Sequence, residues 1–187
     1  MESTQSPRYL PWNPLNFYNV CMESTTLLDS FSRKLLDELQ ANARLSTAEL
    51  ARRIGLSPTA TAERLRQLEE TGVIQGYSAR IDPEALGLNA QAFLRISSTG
   101  PNYLRLLDYL RTLEEVRACH HLTGGDDLLL HVAVLNLAHL EALIEALLPY
   151  GSPVTSLVLS TPIERHSYPA TGKLATITPK PRPTRRR

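Results

Sequence analysis

Residues Leu45–Ile74, LSTAELARRIGLSPTATAERLRQLEETGVI, decide how the front of the chain folds. Ser46 is placed to cap a helix over Thr47–Ile54, and Glu49, three residues on, completes a capping box. Leu50, Ala51 and Ile54 fall on one helical face. Gly55 stands where a left-handed residue ends that helix. Ser57 then caps a second helix with Pro58 at its first position, where the missing N–H costs nothing. Ala62, Leu65 and Leu68 form the expected core face of this helix, and Gly72 closes it. Two short helices with a tight break between them are the pattern of a helix-turn-helix DNA reader.

The outward face of the second helix carries the candidate reading surface. Ser57 begins it, and Thr59, Ala60, Glu63, Arg66, Gln67 and Glu70 lie opposite Leu65, with Arg64 at the edge. A helix in this position sets its N-terminal side chains against base edges in the major groove. Thr59 and Ala60 suit thymine methyls, Gln67 suits adenine, and Glu63 can accept from cytosine N4. Arg52, Arg53, Arg64 and Arg66 are the phosphate candidates. The same residues would also suit the solvated face of a small bundle; the spacing of cap, glycine and cap favours DNA.

Upstream, Ser32 is expected to cap a helix over Arg33–Gln40, with Phe31 as a hydrophobic staple and Leu35, Leu36 and Leu39 buried. Residues 1–27 hold Pro7, Pro11 and Pro14 and read as an irregular arm, in which MEST at 1–4 recurs at 22–25. Downstream, Val73–Ile81 reads as a short extended segment that would complete a winged helix-turn-helix over 28–82. A linker over 83–90 begins at Asp82-Pro83.

Element types then alternate across 91–162. Gln91–Ser98 reads as a strand, Asn102–Glu114 as a helix with Leu104, Leu107 and Leu110 inward, and Val116–Leu122 and Asp127–Leu135 as strands joined by a glycine turn. Leu137–Leu148 reads as a helix and Val154–Ser160 as a last strand. The order β-α-β-β-α-β is that of a ferredoxin-like sandwich, which makes the whole an α+β protein. One sheet face would be left without helices. Phe93 and Arg95 alternate with Leu94 and Ile96, so that open face carries apolar surface suited to pairing with a second copy.

The net charge of +1 conceals an uneven distribution. Residues 29–82 hold eight Lys/Arg and eight Asp/Glu, residues 83–162 four against eight, and residues 163–187 seven against the single Glu164. The reader is therefore neutral, and the positive charge sits in a proline-containing end expected to be a flexible basic tail. Charge alone gives no argument for DNA.

Cys21 and Cys119 are too far apart in sequence to frame a zinc site, and Cys119 is expected to be a buried structural thiol. Cys119, His120, His121, Asp126, Asp127 and His131 cluster, but adjacent strand residues point to opposite faces. No catalytic residues, metal ligands or cofactor are assigned, and no membrane span is expected. A cytoplasmic, nucleoid-associated protein is the expectation.

Leu28-Asp29, Leu35–Leu39, Arg44-Leu45-Ser46, Gly55–Pro58, Gly72-Val73-Ile74, Gly76-Tyr77, Asp82-Pro83, Leu86-Gly87 and Thr123–Asp127 occur in an order that resembles the Lrp/AsnC family of bacterial and archaeal regulators. The resemblance runs from about Leu28 to Thr161. It implies a sequence-specific regulator that binds double-stranded DNA and assembles as a homodimer or higher homo-oligomer, up to an octamer. It also implies a small effector, typically an amino acid, in a pocket at Thr123, Gly124, Gly125, Asp126 and Asp127. Paired glycines would let backbone N–H groups approach a carboxylate, and Asp127 would hold an ammonium group. Three positions depart from the family's pattern. Ser32 stands where Asp is frequent, Glu63 and Gln67 where basic residues are frequent, and Asp126 where a larger residue is frequent. The alternative is a chromosome-organising DNA binder that works without an effector.

Overall fold

The computed structural model describes residues 28–98, 101–123 and 127–170. They form two compact units: residues up to Tyr77 group with those from Arg165 onward, and Ser78–Glu164 form the second.

In the first unit, three helices, α1 (Ser30–Ala41), α2 (Thr47–Ile54) and α3 (Pro58–Glu70), surround a small core of Leu35, Leu39, Leu50, Ile54 and Leu68. Both predicted caps on the decisive stretch are present. Ser46 Oγ accepts from the Glu49 N–H and Ser57 Oγ from the Ala60 N–H, each at 3.2 Å. Gly55 takes φ 78°, the left-handed conformation that turns the chain out of α2. Only half of the capping box forms, because the Glu49 carboxylate turns to Arg52 and Arg53.

Two details of this unit differ from the sequence reading. Asp29, not Ser32, caps α1: its Oδ1 accepts the Ser32 N–H at 2.8 Å. The helix thus begins one turn early, and Phe31 and Ser32 lie within it, Ser32 only 8% exposed. On α3 the core face runs through Thr61 and Leu68 with Leu65 half-buried, while Ala62 is exposed. A hydroxyl disguised this position, since Thr61 Oγ1 donates to the Ser57 carbonyl at 3.0 Å and can then be buried without penalty. Beyond α3, residues 75–80 form no strand.

The second unit opens with a 3₁₀ turn, Glu84–Leu86, and then gives β1 (Ala90–Ser97), α4 (Pro101–Leu110), β2 (Val116–His121), β3 (Asp127–Val134), α5 (Leu137–Leu147) and β4 (Ser152–Leu157). The sheet is antiparallel in the order β2-β3-β1-β4, the ferredoxin-like arrangement predicted. Ala92, Leu94 and Ile96 on β1 and Leu128, Leu130, Val132 and Val134 on β3 alternate onto one face. There they pack with Leu106 and Leu110 of α4 and Leu140, Leu143 and Leu147 of α5. Each fully buried leucine contributes about 2 kcal/mol of apolar transfer. Helix α4 ends at Leu110 rather than Glu114 and presents Leu106, not Leu104, to the core; Leu104 is 65% exposed. A helix this rich in leucine satisfies helical spacing in more than one phase, and only packing selects one.

Candidate functional site

Every residue of the expected reading surface that lies opposite the α3 core stripe is solvent-facing: Thr59, Ala60, Glu63, Arg66, Gln67 and Glu70 are all exposed. Ser57, at the helix start, spends its hydroxyl on the cap. The arrangement leaves a continuous polar ridge from the α2–α3 turn to the last turn of α3.

Four arginines of this unit, Arg52, Arg53, Arg64 and Arg66, are engaged with carboxylates. Arg66 lies 2.6 Å from Glu63 and 2.5 Å from Glu70, one turn to either side on the same helix. Arg52 and Arg53 both hold Glu49, at 2.6 and 2.8 Å, and Arg53 also reaches Glu38 at 2.8 Å. Hydrogen bonds from Arg52 and then Arg53 bring the Glu49 carboxyl down to about 2. Arg66 lowers Glu63 in the same way, with Gln67 adding a smaller contribution. Much of the positive charge on α2 and α3 is therefore matched pair by pair. Exposed pairs of this kind stabilise little and can be exchanged for phosphate.

Arg64 makes a contact between helices as well. It reaches back from α3 to α1, donating to Asp29 Oδ2 at 2.5 Å and to Ser32 Oγ at 3.3 Å. Its guanidinium lies 5.6 Å from the centre of the Phe31 ring. Arg64 ties the reading helix to the α1 cap, which positions α3. Asp29 thus serves both as the α1 cap and as the partner of Arg64, a pairing that a cap at Ser32 does not imply.

In the second unit the sheet face without helices carries Phe93, stacked on His131 with ring centres 4.9 Å apart, and His131 Nε2 lies 3.0 Å from Gln91 Oε1. Arg95 pairs with Leu129 on one side and Val154 on the other, so all three share this face. Phe93 is 40% and Val154 67% exposed. Burial, then the nearby Arg117 and His120, hold the His131 pKa below the usual histidine value.

The expected effector hairpin joins β2 to β3. His121 pairs with Leu128 at its base, and Asp127 opens β3 opposite Ser97 of β1. Thr123 is exposed beyond the base, and Tyr103 of α4 approaches His121, ring centres 5.6 Å apart. Gly124, Gly125 and Asp126 lie outside the described residues. Cys119, expected to be buried, is exposed, because β2 is an edge strand; partial burial of its thiol raises its pKa. His120 and His121 pair with Leu129 and Leu128 and so point to opposite faces. Among the described residues, no helix is long and apolar enough to cross a membrane.

Comparison with known proteins fits this geometry. Residues 28–75 match the winged helix-turn-helix DNA-binding family, and residues 91–168 match the Lrp/AsnC ligand binding domain. The chain is 32% identical over 133 residues to the HTH-type transcriptional regulator LrpC of Bacillus subtilis, covering 71% of this chain and 92% of that one. A Neisseria meningitidis transcriptional regulator solved with L-Met superposes with a TM-score of 0.71 at 32% identity, over 76% of this chain and 96% of the other. The feast or famine regulatory protein of Mycobacterium tuberculosis complexed with L-methionine gives 0.68 at 35% identity, over 75% and 98%. With a helix-turn-helix reader in front of a ligand-binding ferredoxin-like domain, and relatives of this kind along most of its length, the chain belongs to the Lrp/AsnC family of transcriptional regulators.

Proposed function

We propose that the protein reads double-stranded DNA through Thr59, Ala60, Glu63 and Gln67 on α3, with Ser57 at its start. Arg52, Arg53 and Arg66 exchange their carboxylate partners for phosphates, and Arg64 holds the helix in place. Copies pair through the open sheet face and present reading helices two at a time to a pseudo-palindromic site. An amino acid bound near Thr123, Gly124, Gly125, Asp126 and Asp127 shifts the balance between assembly states. The observation that supports this reading best is the continuous exposed ridge Thr59–Ala60–Glu63–Gln67 on a helix that Ser57, Pro58 and Arg64 hold rigidly. L-methionine in two relatives supports an amino acid as the ligand class. The test is selection of bound duplexes from a random pool. A two-fold-symmetric consensus should emerge, and Gln67→Ala should relax it at one position in each half. A pool without a consensus would overturn the reading.

One observation favours the second reading, an effector-independent chromosome organiser. Arg52, Arg53, Arg64 and Arg66 are paired with carboxylates of their own unit, while the chain's surplus positive charge lies after residue 163. In that case binding to any sequence would be equal and steeply salt-dependent.

A further inference from the structure

After the sheet unit the chain rejoins the reading unit, with which residues 165–170 group. Gln40, on the last turn of α1, grips the backbone of Tyr168 with both ends of its amide, accepting the Tyr168 N–H at 2.7 Å and donating to the Tyr168 carbonyl at 2.9 Å. Pro169 biases the residue before it toward extended backbone, in which N–H and carbonyl point to one side and suit a single amide group. The Tyr168 side chain is 82% exposed, so hydrogen bonds rather than apolar burial make this grip. Seven residues earlier on the same face of the helix, Arg33 donates to the Ala170 carbonyl. Asp37, between them, lines the same groove with Arg165, Ser167 and Pro169. That face is open to the returning chain because Leu35 and Leu39 carry the core stripe of α1 beside it.

Arg33 has a second bond, from Nε to the Leu28 carbonyl at 2.9 Å. The next residue, Asp29, caps α1 through Oδ1 and holds Arg64 of the reading helix through Oδ2 at 2.5 Å. Polar contacts inside one unit therefore lead from the backbone at 168–170 through Arg33, Leu28 and Asp29 to α3. A helix start frays unless it is tied down. Asp29 can anchor Arg64 only while the corner at Leu28 and Asp29 stays in place.

We infer that residues 165–170 are a strap across α1 that fixes this corner, which makes Gln40 and Arg33 positioning residues for the reading helix. This rests on the proposed function, in which α3 carries the sequence preference. Contacts to base edges need side chains held to within about 0.5 Å, a tolerance that a fraying helix start does not keep.

The test uses the full chain and measures affinity for a selected duplex and for an unrelated one, with urea unfolding followed in parallel. Gln40→Leu keeps the bulk of the side chain and removes both of its bonds. Tyr168→Pro removes the N–H that Gln40 accepts and leaves α1 itself unaltered. Each should lower the ratio of selected to unrelated affinity by about three- to ten-fold, the scale of one or two ordinary hydrogen bonds. Gln40 and Arg64 bond to different residues, yet adding Gln40→Leu to Arg64→Ala should cost no further preference, because both act through one route. Additive losses would overturn the inference. So would an unchanged preference in both strap variants with easier unfolding in urea, which would leave the strap a clamp for stability alone. An intact chain that prefers no duplex would instead overturn the proposed function, and this inference with it.

Discussion

Arg66 Nη2 lies 2.6 Å from Glu63 Oε1, so the most exposed arginine of the reading helix is held by the acid that shares its face. In the proposed reading, DNA displaces Glu63 before Arg66 meets a phosphate.

Glu63→Gln should release Arg66 from one of its two partners. Affinity for unrelated duplex should rise, and the salt slope should steepen by about 1, the increment for one added phosphate contact. Fluorescence anisotropy across a salt series measures both. Weaker binding with an unchanged slope would mean that Glu63 itself makes the productive DNA contact.

Thr61 is fully buried, yet its hydroxyl is matched by a carbonyl that already accepts the Thr61 N–H. Thr61→Val keeps the shape and orphans nothing, so it should change unfolding free energy by no more than about 1 kcal/mol. Thr61→Arg forces a charge into the core and should cost about 3 kcal/mol or more. Urea denaturation followed by circular dichroism separates the two.

Gly151 lies beside the end of β1, where an added Cβ would sit 2.4 Å from the Ser97 carbonyl oxygen and 3.1 Å from Ile96 Cγ1. Gly151→Ala must push β4 away from β1, and about 2 kcal/mol of stability should be lost. The same denaturation measurement checks this, with Gly55 reserved for its left-handed φ of 78° as an independent case.

Acid should loosen the reading unit. Glu49 titrates near 2 when folded and near 4.5 otherwise, so the folded state binds fewer protons between those values. Its stabilising contribution is complete above pH 4.5 and is lost as pH falls toward 2. Asp29, lowered first by the Ser32 backbone N–H and then by its Ser32 and Arg64 side-chain contacts, and Glu63, lowered by Arg66, act in the same direction. Thermal melts over this range should fall more steeply for the intact chain than for Glu49→Gln.

On the open sheet face, Val154→Lys should leave the fold intact, because the side chain is already exposed, but shift a sheet-paired dimer toward monomer. His131 on that face has a lowered pKa, so a copy packed over it would be opposed by protonation. Sedimentation velocity should therefore show the dimer weakening as pH falls below 6.5.

The caps at Ser46 and Ser57, the turn at Gly55 and the order of elements in the second unit could be read directly, because each depends on local chemistry that few residues satisfy. What escaped were choices made by packing. Thr61 looked polar because its partner carbonyl is one turn away. Leu104 and Leu106 fit a helical stripe equally well until the sheet selects one. Asp29 and Ser32 are both good caps, and the bond from Arg64 favours the earlier one. The exposed face of α3 could be read because it is the complement of its core stripe. The pairing of each of its arginines was not, since opposite charges at helical spacing need only be close, not joined. The docking of Tyr168 and Ala170 on α1 had no local signal, as Gln40 and Tyr168 are 128 positions apart.

The most direct measurement is footprinting of the intact protein on genomic DNA with and without a panel of amino acids, repeated with Gly124→Trp. Paired protections about one helical turn apart are expected, altered by at least one amino acid, with that response lost in Gly124→Trp. Uniform protection that no amino acid changes, in either protein, would contradict a regulator that reads sequence through α3 and is tuned at the β2–β3 hairpin.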